Sequence, residues 1–499
     1  EVVAAFGAAA RRVRAADFDA IEVPFSHGYL IHQFLSPHTN HRRDEYGGTF
    51  EKRLRFGREV IAAVREQAGG EFPIVVRLNA KDYVDAGLNL KDAVEIARNL
   101  EALGVNAISV TSGTMCESVP FCLYPSGTPK AHLLPMAARI REAIKLPVIV
   151  AGRIRSPSVA REALAAGQTD LIGLGRPFLA DPDWVRKSEA GDEQAILMCA
   201  ACHQGCLAQL RKGKGTHCMF NPLTGRESEI QLTKAETSRR VMVVGGGPAG
   251  LESAYTAARR GHQVTLYEKE DRLGGQFHLA ARAPYKGEFL DVIRVLSLMV
   301  ERAGVEVHLS TRVTSQMVTN TDPEVVIIAT GGTPLTIPFP GLNETRWLMA
   351  SDLLEGALAV ETPSVLVIGG GLVGLEVADL LACQDKRVTV VEMLPEVGSD
   401  MDLLARSMLL RRLQKQNVII HTSTKVTRLE RNTVFARQND REIQLPIETV
   451  VIAVGVRPDR ELVDSLELNG IEMHVIGDAA QPRKALEAIW EGFEVGLRI

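Results

Sequence analysis

Apolar and polar residues follow two rhythms along the first part of the chain. Val3, Phe6, Ala10 and Val13 recur at helical spacing, and the apolar run Phe18 to Phe25 follows as a buried strand. Short apolar runs at Pro73 to Leu78, Val105 to Val110, Pro147 to Val150 and Leu171 to Leu174 predict further strands, with helical patterns near Phe50 to Gln67, Leu90 to Leu103, Leu133 to Ile144 and Pro157 to Ala166. Strands separated by crossover helices are the grammar of a parallel α/β domain.

Beyond Leu179 the pattern changes. A short helical stretch leads into a cysteine-bearing segment that runs to about Pro222, and the polar residues Arg226 to Arg240 mark a linker. Then Val241-Met-Val-Val-Gly245-Gly-Gly247-Pro-Ala-Gly250 reads as strand, glycine turn and helix start. The pattern returns at Val365-Leu-Val-Ile-Gly369-Gly-Gly371-Leu-Val-Gly374. In each copy a carboxylate, Glu268 or Glu392, ends a second apolar strand eighteen positions past the third glycine. This is an internal repeat of a Rossmann unit. Glycines let the backbone approach a pyrophosphate at a helix N-terminus, and the carboxylate takes ribose hydroxyls.

Composition narrows the classes. The chain has 499 residues, 45% of them apolar, enough for about three domains with cores of their own. A net charge of -4 with no basic stripe excludes an electrostatic footprint for nucleic acid. No run of eighteen apolar residues and no signal-peptide succession occur, so no membrane partner is expected and a reducing, cytoplasmic setting is. The sequence leaves the oligomeric state open, a homo-oligomer included.

Four of the seven cysteines lie close together, as Cys199-Ala-Ala-Cys202-His-Gln-Gly-Cys206 and Cys218. Thiolates are soft ligands, and three on one tight loop with a more distant fourth suit a [4Fe–4S] cluster. Zinc, for which two C-x2-C knuckles are usual, plain packing and a disulfide pair are the alternatives. Cys122 and Cys383 read as small buried hydrophobes.

Two resemblances extend this reading. Arg272-Leu-Gly274-Gly275-Gln276 and Val475-Ile-Gly477-Asp478 resemble the FAD-contacting segments of two-dinucleotide-domain flavoprotein reductases. The first copy is therefore expected to hold FAD. The second, bounded by Ala329-Thr330-Gly331-Gly332 and Ala453-Val-Gly455, is expected to hold the nicotinamide cofactor. Glu392 favours NADH over NADPH there by repelling a 2′-phosphate, with Lys386 and Arg387 weighing the other way.

The segment Ser26-His27-Gly28-Tyr29-Leu30-Ile-His32-Gln33-Phe34-Leu35-Ser36-Pro37, with Asn40, Arg42, Asp44, Tyr46-Gly47-Gly48, Arg53 and Arg55-Phe56, resembles the central signature of the Old Yellow Enzyme family of FMN barrels. The whole chain is similar to that family's long iron–sulfur subclass. This subclass includes 2,4-dienoyl-CoA reductase, 2-enoate reductases, bile-acid 3-oxo-Δ4 steroid reductases and trimethylamine dehydrogenase. The resemblance implies an α/β fold: a partial (β/α)8 TIM barrel of about five units over residues 1–190, and an iron–sulfur segment and linker over 191–235. A FAD domain over 236–358 and 459–499 then encloses a nicotinamide domain over 359–458. It implies Tyr29 as proton donor, Arg77 at the flavin pyrimidine edge, and Gly152, Arg153, Gly175 and Arg176 as FMN phosphate loops. His27 falls where a substrate carbonyl is gripped, and His32 lies one helical turn past Tyr29.

Some positions depart from the family. Pro24 stands where many relatives carry a further histidine, and Cys116 stands roughly where dienoyl-CoA reductases have a second acid, which favours an enoate or enone substrate. The chain opens inside what is expected to be the third helix, so it reads as a fragment of a longer protein with two open sheet edges and an aggregation-prone first domain. The implied activity is an ene-reductase carrying electrons from NADH through FAD and the cluster to FMN and a C=C bond. The rivals are an amine dehydrogenase of the trimethylamine dehydrogenase type and an electron-transfer module with a vestigial barrel.

Overall fold

The chain is described by a computed structural model at residues 1–439, 441–466 and 470–499. Its contacts divide it into two units, Glu1–Phe178 and Leu179–Ile499. Residues 179–190, grouped above with the barrel-like part, therefore fall in the second unit.

In the first unit β1 (Ile21–Phe25), β2 (Ile74–Asn79), β3 (Ala107–Thr111), β4 (Val148–Ala151) and β5 (Leu171–Gly173) form one parallel sheet in that order. Helices Phe50–Ala68, Leu90–Ala102, Leu134–Arg141 and Pro157–Ala165 form the crossovers. The first strand begins later than the apolar run predicts. Asp17 takes a left-handed φ of 61°, and Phe18 is exposed rather than buried in a strand. Pro24 is tolerated because β1 is an edge strand.

The sheet has two faces. Val23, Phe25, Ile74, Val76 and Leu78 are buried, and a Cβ at Gly57 of the following helix would meet the Phe25 ring at 2.7 Å. By the two-residue period of a strand, Glu22, Pro24, Val75 and Arg77 share the opposite face. That face and the carboxyl ends of the strands hold the first candidate site.

The second unit contains two Rossmann sheets. One takes β6 (Arg240–Val244), β7 (Gln263–Tyr267), β8 (Glu306–His308), β9 (Val325–Ile328) and the late strand β20 (Glu472–Val475) in the order β20-β9-β6-β7-β8. The chain leaves through β10 (Gly332–Pro334) and builds β11 (Trp347–Met349), β12 (Ser364–Ile368), β13 (Arg387–Val391) and β14 (Ile419–His421). It then adds an antiparallel meander of β15 (Thr424–Glu430), β16 (Thr433–Gln438) and β17 (Arg441–Pro446), and closes the second sheet with β18 (Thr449–Ile452). The second order is β11-β18-β12-β13-β14, and β19 (Val456–Pro458) pairs with β10 as the chain returns.

One boundary moves. The expected limit at 358/359 would leave Trp347–Met349 with the first sheet, but β11 pairs with β18 of the second. Leu348, Leu353 and Leu354 are likewise buried in the second core. A three-residue strand carries too little periodicity to assign it to either sheet.

Candidate functional site

The carboxyl ends of β1 and β2 gather three of the expected residues. After Phe25 the chain turns through consecutive left-handed residues, His27 (φ 60°) and Gly28 (φ 84°), and enters helix Leu30–Leu35 with Tyr29 as its N-cap residue. The turn is pinned on both sides, because the His27 amide donates to Asn79 Oδ1 (3.3 Å) and its carbonyl accepts from Met115 N (3.0 Å). His27 and Tyr29 present their rings edge to face at 6.4 Å, and the Tyr29 ring is exposed. Burial first, then the Arg77 and His32 charges, lower the His27 pKa to about 4. The imidazole is therefore neutral at physiological pH.

Arg77 lies 3.7 Å from Glu22 across the strand pair, too long for a strong hydrogen bond, and its Nε is buried without a partner. An orphaned guanidinium donor on this face fits a flavin ring edge. Gly152 (φ 112°) and Arg153 (φ 57°) follow β4, and Gly175 and Arg176 follow β5. A Cβ at Gly175 would meet nothing within 4 Å, which leaves open room for a phosphate. Both arginines also hold the loop after β3: Arg153 Nε donates to Thr128 O (3.2 Å) and Arg176 Nη2 to Tyr124 O (3.0 Å).

Sequence reasoning missed that loop's role. Tyr124 is buried, its ring sits 2.9 Å from where a Gly152 Cβ would lie, and its hydroxyl bonds Thr111 Oγ1 at 2.9 Å. Thr111 Oγ1 in turn lies 2.8 Å from His27 Nε2. Nothing in the spacing marks Tyr124, which follows Phe121 in the segment after β3. His32 is buried and bonded to Asp82 Oδ1 (2.8 Å), which also accepts from Asn79 Nδ2 (2.9 Å). Cys116 is exposed, and burial pushes the Cys122 thiol up to about 11. Cys383, expected to be buried, is exposed at the end of helix Leu372–Ala382 and accepts from Gln416 Nε2 at 3.2 Å.

In the second unit both glycine fingerprints line one cavity of about 2030 Å³, with Gly245, Gly247, Glu268, Arg272, Gln276, Gly477 and Asp478 from one and Gly369, Gly371 and Glu392 from the other. Gly245 (φ 109°) and Gly369 (φ 105°) turn the chain where a Cβ would strike the carbonyls of Ala329 and Ala453. Gly250 and Gly374 lie outside the lining; each is where a side chain would collide with the carbonyl of its own first glycine. Gln276 Nε2 donates to Asp478 Oδ2 (3.1 Å), joining the two segments expected to contact FAD.

The copies differ at the helix N-terminus. A Cβ at Gly247 would meet nothing within 4 Å, whereas the first helical amide of the second copy, Leu372 N, donates to Asp400 Oδ1 and Oδ2 at 3.1 Å each. A carboxylate thus stands where a pyrophosphate is expected. Lys386 and Arg387 lie at or before the start of β13 and Glu392 just past its end, so the two cations are a strand's length from the ribose position. Buried Glu376, two residues beyond Gly374, pairs with Lys286, and both line the cavity.

The cysteine segment packs on the first Rossmann core through Leu197, Ala200, Met219 and Phe220, with Cys202 and Cys218 against it. Ala201 and His203 take left-handed φ of 52° and 61°, and a Cβ at Gly205 would meet the Cys218 backbone at 2.7 Å. Burial and then neighbouring thiols raise Cys202 well above its ordinary pKa, and burial takes Cys218 to about 12. Backbone amides are directed at the sulfurs: Ala201 N to Cys199 Sγ (3.3 Å), Gln204 to Cys202, and Phe220 and Asn221 to Cys218. Among the described residues no three His, Cys, Asp or Glu side chains converge to hold a single metal ion. Mutually interacting thiols ringed by amide donors fit a thiolate-ligated cluster, whose positive charge reverses the burial penalty. Gln204, inside the cysteine loop, also lines the dinucleotide cavity.

A parallel α/β unit followed by two nested dinucleotide units defines a nicotinamide-dependent flavoprotein oxidoreductase. The profile of the NADH:flavin oxidoreductase / NADH oxidase family matches residues 1–194, and that of the pyridine nucleotide-disulphide oxidoreductases matches residues 239–481. The chain is 37% identical over 506 residues to the NADH oxidase of Thermoanaerobacter brockii, covering 100% of this chain and 78% of that one. It is 31% identical over 517 residues to the cinnamate reductase of Clostridium sporogenes, covering 100% and 77%. It superposes on the complex of 2-naphthoyl-CoA reductase with 2-naphthoyl-CoA with a TM-score of 0.94 at 32% identity, covering 100% and 76%. The chain belongs to the NADH:flavin oxidoreductase / NADH oxidase family. FMN and FAD/NAD(P) domains follow from that membership, and among the described residues no helix is long and apolar enough to cross a membrane.

Proposed function

We propose that this protein uses NADH to reduce the activated C=C bond of an α,β-unsaturated carbonyl or enoate. The observation that carries the reading is neutral His27 beside exposed Tyr29 at the carboxyl edge of the first sheet, with Arg77 behind them. The NADH oxidase and cinnamate reductase relatives support its two halves.

Arg77, Gly152, Arg153, Gly175 and Arg176 would hold FMN. Gly245, Gly247, Gly250, Glu268, Arg272, Gln276, Gly477 and Asp478 would hold FAD, and Gly369, Gly371, Gly374 and Glu392 would hold NADH. Cys199, Cys202, Cys206 and Cys218 would ligate a [4Fe–4S] cluster. When bound, these groups supply the carriage of two electrons that no side chain provides. The chain's own residues do the rest. His27 donates a hydrogen bond to the substrate carbonyl, which draws electron density from the alkene, and Tyr29 gives a proton to the carbon beside it as hydride reaches the other. The reading takes the cytoplasm as the compartment and a small unsaturated molecule as the partner.

Anaerobic incubation of the full-length holoenzyme with NADH and cinnamate or an enone tests it. A saturated product in step with NADH loss is expected. NADH consumed only with dyes or dioxygen, or amine-driven dye reduction without NADH, overturns the reading.

A further inference from the structure

His27 has one ring nitrogen engaged, Nε2 at 2.8 Å from Thr111 Oγ1, and Thr111 Oγ1 is itself 2.9 Å from the Tyr124 hydroxyl. We propose that Tyr124 and Thr111 are positioning residues that fix His27 as the tautomer protonated on Nδ1, so that its outer nitrogen donates to a substrate oxygen. The inference rests on the role given to His27 above.

The direction of the chain follows from donor and acceptor strength. A phenol is a stronger acid than an aliphatic alcohol, and a bare imidazole nitrogen is a stronger acceptor than a phenol oxygen. Ser112 also meets the phenol through its backbone amide and its hydroxyl; with the amide donating to the phenol oxygen, the phenol gives its own proton to Thr111, and Thr111 gives its own to Nε2. The reverse order would spend the imidazole N–H on Thr111 and turn a bare nitrogen toward the substrate carbonyl, acceptor against acceptor. Burial raises the Tyr124 pKa and lowers that of His27, so the phenol keeps its proton and the imidazole stays neutral. The geometry is held from several sides: the Tyr124 ring lies against Gly152, and Arg176 grips its carbonyl. The His27 backbone is pinned by Asn79 and Met115. The loops expected to bind the FMN phosphate thus also orient the residue expected to bind substrate.

The test is the ring 15N spectrum of histidine-labelled full-length holoenzyme, with His27 assigned by its loss in His27→Gln. A protonated Nδ1 and bare Nε2 are expected in the wild type, shifting toward the other tautomer in Tyr124→Phe and Thr111→Val. Enone kcat/KM should fall about tenfold in each variant, and the double variant should lose no more than either single one, as members of one relay do. A wild-type His27 protonated on Nε2 overturns the inference whether or not the variants fold, as do additive losses in the double variant. A protein that reduces no alkene yet carries Nδ1-protonated His27 overturns the proposed function and leaves the relay standing.

Discussion

Glu268 and Glu392 occupy the same station in the two dinucleotide units. Each carboxylate accepts the amide of the second glycine of its own fingerprint at 2.6 Å, from Gly246 and Gly370. Each also accepts the amide two residues further along, from Glu270 at 2.9 Å and Leu394 at 2.8 Å. One carboxylate therefore sets the loop that faces the phosphates as well as the rim that faces the ribose. In the second unit it is also the charge that the proposed assignment sets against a 2′-phosphate.

Glu392→Gln removes the charge and keeps one acceptor, for Gly370, while losing the one for Leu394. The preference for NADH over NADPH should narrow roughly tenfold, about 1.4 kcal/mol. Steady-state kcat/KM with both cofactors measures this, and equal wild-type efficiencies would remove the basis of the assignment.

Asp400 caps Leu372 N, where the pyrophosphate is expected, so NADH must displace it. Asp400→Ala should lower KM for NADH roughly two- to fivefold at low salt, the reach of one exposed charge, and less as salt rises. An unchanged KM would show that Asp400 does not compete with the cofactor, and a raised one that it assists binding.

Cys202→Ala should abolish iron and acid-labile sulfide while NADH still reduces the FAD. Metal and sulfide analysis with flavin absorbance follows both. Retention of iron and sulfide, or one zinc in the wild type, would end the cluster assignment.

Tyr29→Phe keeps the ring and deletes the proton. Alkene reduction should drop roughly 10² to 10⁴-fold while NADH oxidation by artificial acceptors stays unchanged. A wild-type rate of alkene reduction, with flavin reoxidation limiting, would pass the proton-donor role elsewhere.

Glu252 is buried on helix Pro248–Arg259 with Thr256 as its hydrogen-bond partner, and burial raises its pKa to about 7. The folded state binds this proton more tightly than the unfolded chain, so the associated stability is complete below pH 4.5 and is lost as pH rises toward 7. Glu252→Gln should remove that slope and gain about 3 kcal/mol at pH 8. Denaturant titrations at several pH values report it; parallel slopes in both proteins would mean that Glu252 finds a charge partner.

Local signals carried much of this protein into its sequence. Gly245, Gly250 and Glu268, and their counterparts Gly369, Gly374 and Glu392, are legible because a turn, a close backbone approach and a carboxylate each demand one residue type at one spacing. The five strands of the first sheet were legible as apolar runs, because strands buried on a parallel sheet leave few polar positions. Where a polar break intervened, as at Asp17 and Asp19, the run overshot the strand by three residues.

The tertiary structure decided what no spacing encodes. Trp347–Met349 joins the second sheet because its pairing partner, β18, lies about a hundred residues further along. Cys383 is exposed because its helix ends there, and Asp400 reaches back to Leu372 from 28 positions further along, beyond a helix and β13. Tyr124 and His27 are separated by 97 positions and joined through one threonine hydroxyl. By itself the sequence named most of the residues to which the chemistry is assigned in the proposal. Which neighbour each would meet, and so its protonation and direction, was settled only when strands distant along the chain packed side by side.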